Sequence, residues 1–226
     1  MYLTSTIDHL FAGGIGILSQ EGHRSGIFKK RMQHPVAVTT SGIAGDEHAD
    51  LRVHGGPEKA IHQFAVENYG RLSRQFPEIA QALVPGSIGE NISASGLTEE
   101  NVHIGDVFRI GTALLQVSQP RSPCWKINHR YGIDRMSVFI AEERITGWYY
   151  RVLQEGTIAP EDTMELIERE TARISIDRFW RIQSVHRPPI DDLLEILDVP
   201  GLSGTWKERL ATRVRWLREQ YDHPAA

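Results

Sequence analysis

The stretch QPRSPCWK, residues 119–126, contains the only cysteine of the 226-residue chain, Cys124, and sets Arg121 between Pro120 and Pro123. A thiolate can act as a nucleophile or as a ligand for a soft metal. A guanidinium held in a turn presents a planar fork suited to phosphate or carboxylate. The following CWKINH can open a helical turn, whose unpaired amides favour the thiolate form. A free cysteine is also commonly a small buried hydrophobe. Filler, nucleophile and soft ligand therefore all stand as readings of Cys124 at this point.

Three further polar turns carry usable chemistry. His54-Gly55-Gly56-Pro57-Glu58-Lys59 pairs two glycines, which let backbone amides approach a ligand, with the point charge of Lys59. Gly89-Glu90-Asn91 offers in Asn91 a side chain that donates and accepts at once, suited to orienting a heterocycle or phosphate ester or to closing its own turn. Asp46, Glu47, His48 and Asp50 suggest a hard-metal cluster, but their spacing does not supply the oxygens that calcium requires. Asp46 reads better as a residue that caps a turn or holds a base. His48, His54 and His62 lack an HExxH arrangement, so zinc has little support.

Other chemistries are missing their signatures. There is no GxSxG elbow, no Walker A loop, and GGIG at 13–16 does not spell a dinucleotide fingerprint. One cysteine excludes an internal disulfide and is too few for an iron-sulfur cluster. A net charge of -4 gives no polyanion-binding signature, so a nucleic acid polymer is not the expected partner. No stretch approaches the roughly 20 apolar residues of a membrane helix. Asp8 and His9 interrupt the opening where a secretory signal needs an apolar core, which points to a cytoplasmic protein.

The elements that must position these residues are mostly short and β-rich. GIGILS, VAVTTSG, SIGENISASG, VHIGDVFRIG, ALLQVSQP, WYYRVLQEG and DTMELIERE read as strands punctuated by Gly, Pro and Ser. Lys29, Lys30 and Arg31 read as a solvated turn. Val66, Tyr69, Leu72 and Phe76 predict one amphipathic helix ending before Pro77, and DRMSVFIAEER a second. Such spacing favours a small barrel or sandwich, closing near residue 169. From Thr171 three short helical segments follow, the last opening on a serine or threonine cap. A helical module this small should lean on the barrel or on a second subunit. The expected organisation is mainly β: a barrel domain over 1–170 and a three-helix module over 171–226.

GIAGDEHADLRVHGGPEKAI, followed by PGSIGENISASGLTEENVHIGDVFRIGTALLQVSQPRSPC, resembles the defining segments of MOSC domains, the molybdenum-cofactor sulfurase C-terminal family. The likeness runs over nearly the whole chain and is greatest to stand-alone bacterial members with a three-helix (3-alpha) module behind the barrel. It implies a β-barrel carrying the molybdenum cofactor, a pterin with a dithiolene and a terminal phosphate. Cys124 would give the thiolate to molybdenum, while Arg121, Lys59, His54, Gly55, Gly56 and Asn91 would hold phosphate and pterin. The arginine lies at a different fine spacing from the cysteine in eukaryotic relatives. Pyridoxal phosphate binding is a further association of the resemblance.

Members of this kind are associated with reducing N-hydroxylated compounds, including 6-hydroxylaminopurine and other base analogues, hence with detoxification. The implied reaction takes R-NHOH to R-NH2 at the molybdenum centre. Asp46 and His48, with His54, are the candidates for proton delivery. The electrons imply a separate reductase, expected to be a flavoprotein, since this chain has no flavin or NAD fingerprint. The helical module could dock it or pair two subunits as a homodimer. Two other readings remain: a carrier of molybdenum cofactor or sulfur without its own turnover, and a purine-binding or docking module in which Cys124 is core.

Overall fold

The computed structural model describes residues 3–18, 22–50 and 54–222. Residues 51–53 of the polar segment and Ser19 of GIGILS lie outside them. Strands in the first half are β1 (Thr4–Thr6), β2 (His9–Ala12), β3 (Gly16–Leu18), β4 (His23–Ser25), β5 (Lys30–Arg31), β6 (Val36–Thr39), β7 (Gly42–Ile43), β8 (Ile61–Ala65) and β9 (Ile92–Ala94). The second half adds β10 (Val107–Ile110), β11 (Ala113–Pro120), β12 (Trp148–Gln154), β13 (Gly156–Ile158) and β14 (Thr163–Glu168). The helices are α1 (Glu67–Gln75), α2 (Lys126–Tyr131), α3 (Met136–Glu142), α4 (Ile176–Ser184), α5 (Ile190–Leu197) and α6 (Gly204–Asp222).

Nine strands form one mixed sheet in the order β1-β14-β10-β11-β12-β8-β9-β2-β5. Its β8–β9 pair is parallel and the other ladders are antiparallel. Among the described residues no ladder joins the edge strands β1 and β5, so hydrogen bonding defines an open, sheet-rich layer with helices rather than a closed cylinder. ALLQVSQP is a strand over its full length, and the other expected strands are present but shorter. SIGENISASG contributes only Ile92–Ala94, because the residues ahead of it turn tightly through Gly86 and Gly89, both at positive φ.

The apolar period of three and four does form α1, which buries Tyr69 and Leu72 and ends at Phe76, as the following proline demands. In β11 the near-continuous burial of ALLQVSQP places that strand in the middle of the sheet. Arg169 leaves β14 with both a 2.7 Å and a 2.6 Å bond to the fully buried Asp106 carboxylate, which fixes the exit towards the C-terminal helices.

Those helices share the core of the sheet. Phe179, Ile196, Trp206, Leu210 and Leu217 belong to the same buried cluster as Phe108, Trp148 and Tyr150. Ser175 caps α4 by accepting from the Arg178 N–H at 3.1 Å. Gly201 packs on Gly105 so closely that a Cβ on Gly201 would lie 2.4 Å from the Gly105 Cα. The expected hydroxyl cap of α6 is not made: Ser203 precedes that helix, but its buried Oγ has no hydrogen-bond partner. Its backbone carbonyl instead accepts from the Lys207 N–H. A second cluster, with Leu18, Ile27, Tyr69, Leu72, Ile88 and Ile127, packs beneath α1, α2 and α3.

Candidate functional site

At the edge of that second cluster lies a cleft enclosing about 570 Å³, with Ile27, Ile88 and Ile127 in its wall. Cys124, Arg121, His48, His54 and Asn91 all line it, although they come from four separate turns. Lys29, His62, Lys126 and Tyr149 join them.

Arg121 continues the β11–β12 pairing past Pro120, its N–H donating to the Gly147 carbonyl at 3.1 Å. Cys124 is then held from its other side, since its carbonyl accepts from the N–H of fully buried Ile127 in α2. The thiol is half-buried and faces the cleft, which sets aside the reading of a core filler. The Arg121 side chain is buried; its Nη2 donates to the Ile88 carbonyl at 3.4 Å, and the guanidinium is also hydrogen-bonded to the Tyr149 side chain. Among the described residues Nη1 has no hydrogen-bond partner and no carboxylate pairs with this guanidinium. A buried donor left unsatisfied costs about 1–3 kcal/mol, more when charged.

Asp46 sits just behind the cleft wall, its side chain 1% exposed. It accepts from the Gly13 N–H at 3.0 Å, from Asn91 Nδ2 at 2.9 Å and from the Lys29 amine, and lies 3.9 Å from His48 Nε2. The reading of Asp46 as the holder of a base is thus met by Lys29. The reading of Lys29 as part of a solvated turn is corrected: it is buried, and burial outweighs Asp46 in lowering its pKa.

Asn91 is also more engaged than the sequence suggests. Its Oδ1 accepts from the His62 N–H at 3.0 Å, and its Nδ2 donates to Asp46 and to the Phe11 carbonyl at 3.2 Å. One amide proton goes to Asp46 and the other to the Phe11 carbonyl of β2, while Oδ1 holds β8, so Asn91 shapes the cleft instead of donating into it. Gly55 is required by packing on His48, because a Cβ there would lie 2.7 Å from the imidazole. Neither Gly55, Gly56 nor Lys59 lines the cleft. Lys59 closes the short turn Pro57–Lys59 and feels Arg209 of α6.

Burial favours the neutral form of the three cleft histidines, His48, His54 and His62. Burial, then Arg121 and Lys126, lowers His54 to about 4. Burial also lowers His48 and takes His62 well below the usual range. The backbone of Gly89 and of Thr146 opposes that burial effect through hydrogen bonds to the His62 ring. Among the described residues no group of three His, Cys, Asp or Glu could hold a metal ion. Lys29 is matched by Asp46, which leaves Arg121 and Lys126 as the positive excess of the cleft. An oxygen-rich anion with a soft partner for the thiol fits this set of donors.

The MOSC domain model matches residues 50–165, from just past Asp46 and His48 through Cys124. Protein YiiM of Escherichia coli is 38% identical over 194 residues, covering 85% of this chain and 86% of that protein. The chain belongs to the MOSC family. It is a YiiM-like member: the crystal structure of YiiM from Geobacillus stearothermophilus matches with a TM-score of 0.79 at 31% identity, over 93% of this chain and 99% of that one. A protein of Gibberella moniliformis named "Reductase" is 34% identical over 78% of this chain, which spans only 31% of that protein. MOSC domains are associated with the molybdenum cofactor. No helix among the described residues of this MOSC protein is long and apolar enough to cross a membrane.

The site residues that sequence reasoning missed are Lys29, Lys126, His62 as a cleft wall, and Tyr149. Glu99, which does not line the cleft, is a buried carboxylate that sequence reasoning also missed. It accepts from the Gly147 N–H at 2.8 Å and from Asn68 Nδ2 at 3.0 and 3.2 Å. Burial pushes its carboxyl from 4.5 up to about 7. Between those values the native state holds the proton that the unfolded chain has released, so this group's contribution to stability falls as pH rises and levels off above pH 7. Glu99→Gln keeps an acceptor for Gly147 and removes the titration. Across pH 5 to 8 the variant is expected to gain on wild type by on the order of 3 kcal/mol, read as the difference between urea unfolding curves. Parallel pH dependence of the two proteins would contradict this assignment.

Proposed function

We propose that this MOSC protein binds the molybdenum cofactor in the cleft and reduces N-hydroxylated compounds, R-NHOH to R-NH2, with 6-hydroxylaminopurine as the model substrate and removal of base analogues as its role. The observation that carries the reading is the meeting, in one cleft, of a half-buried thiol with a buried guanidinium whose Nη1 has no partner. In this reading residues 1–170 are the MOSC domain and 171–226 its helical module.

Cys124 would hold the metal as a thiolate, and Arg121, with Lys126 beside it, would hold the terminal phosphate. His54, neutral at physiological pH, would flank the pterin without adding charge. Asn91 would act by fixing the strands that carry His62 and Asp46. When bound, the cofactor supplies a two-electron redox centre, so that two electrons and two protons convert R-NHOH to R-NH2 and water. His48 is the cleft-lining group that can pass a proton, and Asp46 behind it opposes the burial that keeps its imidazole neutral. Ile27, Ile88 and Ile127 exclude water from that side. The electrons come from a separate reductase, taken to be a flavoprotein; the longer relative named "Reductase" supports a redox role for the shared segment.

The test uses protein from a host that makes the cofactor, with molybdenum measured by mass spectrometry and reductant-driven conversion of 6-hydroxylaminopurine to adenine followed by chromatography. Loaded protein that turns over is the expected result. Fully loaded protein that stays inert with several N-hydroxylated compounds and competent reductants rejects the reductase and leaves a cofactor carrier.

A further inference from the structure

Beside the thiol, outside the cleft wall, three rings form an exposed corner that none of the roles above uses. Trp125 follows Cys124 directly, so the indole starts about 3.8 Å along the backbone from the cysteine. It remains 45% exposed. His23 meets it at 5.0 Å between ring centroids and 79° between planes, His129 at 4.8 Å and 79°. The two imidazoles are themselves 6.0 Å apart at 84°. Edge-to-face contacts on two sides hold the indole in one orientation before any ligand arrives.

The corner continues the cleft. His23 and Ser25 are two residues apart on β4 and therefore share a face, and Ser25 lines the cleft. On the other element Trp125 and His129 are one helical turn apart, linked by a backbone bond of 3.2 Å, while Cys124 and Lys126 on either side of the indole line the cleft. Lys126 donates to the Arg24 carbonyl at 2.9 Å, which locks β4 against the start of α2. The two elements that carry the thiol and the cleft wall thus carry the rings as well.

We propose that Trp125, steadied by His23 and His129, is a stacking subsite for the ring of a planar heteroaromatic substrate whose N-hydroxyl group enters the cleft; this rests on the reductase reading for the N-hydroxyl and on the corner alone for the ring. An indole face accepts any flat π system, so the subsite selects for ring shape and not for one pattern of hydrogen bonds. It makes Trp125 a specificity residue, distinct from the groups that hold the cofactor.

Adenine, the reduced form of 6-hydroxylaminopurine, is the probe, titrated calorimetrically into cofactor-loaded wild type, Trp125→Ala and Trp125→Phe. Trp125→Ala is expected to bind adenine roughly 5- to 100-fold more weakly, the range found for loss of one base-stacking ring, and Trp125→Phe within a few fold of wild type. The ratio of kcat/KM for 6-hydroxylaminopurine to that for an aliphatic hydroxamic acid should fall by a similar factor in Trp125→Ala. Wild type that does not bind adenine, or Trp125→Ala that binds it equally well, overturns the subsite. Binding that depends on Trp125 in a protein that never turns over keeps the subsite and rejects the reductase. Turnover with an unchanged aromatic-to-aliphatic ratio does the reverse.

Discussion

Cys124→Ser is expected to lose its molybdenum and with it at least about 100-fold in turnover of 6-hydroxylaminopurine, since even supporting residues around a metal cost 10- to 100-fold when changed. A hydroxyl is a hard, weakly acidic ligand and does not replace a thiolate at a soft metal. The fold should barely notice. Cys124 is half-buried, and what anchors its loop is backbone: the Cys124 carbonyl to Ile127 and the Arg121 N–H to Gly147. The unfolding midpoint should therefore stay within about 0.5 kcal/mol of wild type. Metal content by mass spectrometry and activity on the same preparation check the prediction. A variant that retains full molybdenum and full rate would remove Cys124 from the site.

The largest effect on stability is expected at Asp46. Its carboxylate, 1% exposed, faces the Lys29 amine, 4% exposed, and also serves the Gly13 N–H and Asn91 Nδ2. Asp46→Asn leaves an ammonium buried without its counter-charge, a change that costs about 3–5 kcal/mol. Burial already lowers the Lys29 pKa below 10.5, and removing Asp46 lowers it further. The unfolded chain then binds more protons than the native state over the interval below 10.5, so the variant should gain stability as pH rises. Adding Lys29→Met, which takes away the stranded charge, should recover most of the loss. Urea unfolding of wild type, single and double variants at pH 7 and 9 measures all three terms. Equal loss in the single and double variants would mean that Asp46 acts through Gly13 and Asn91 and not through Lys29.

How much of this site was legible in the chain depends on distance along it. Cys124 and Arg121 stand out because a unique thiol and a proline-framed arginine are unusual within eight residues. The α1 period and the continuous burial of β11 are also local patterns, and both produce the elements they predict. Lys29 was misread because its two basic neighbours are indeed exposed, and its own partner lies 17 residues further on. Lys59 and the glycine pair beside it look like ligand-binding turns in sequence, yet they do not line the cleft: Lys59 feels Arg209 of α6, and Gly55 packs against His48, which does line it.

The sequence by itself determined the available chemistry: one soft ligand, a set of cationic and imidazole side chains, no second redox motif, and membership of the MOSC family. Only the tertiary structure decided which of those groups meet. The sheet pairs β8 with β9 in parallel, and Asn91 spends its amide there. The Arg121 Nη1 is buried without a partner, while Asp46 is spent on Lys29. The C-terminal helices merge into the core of the sheet. The physical reason is that residue type and spacing report only what neighbours one or two turns away can do. Burial and charge pairing depend on segments brought together across 17 to 102 residues, and in a low-dielectric interior those long-range pairings decide which groups remain available to a ligand.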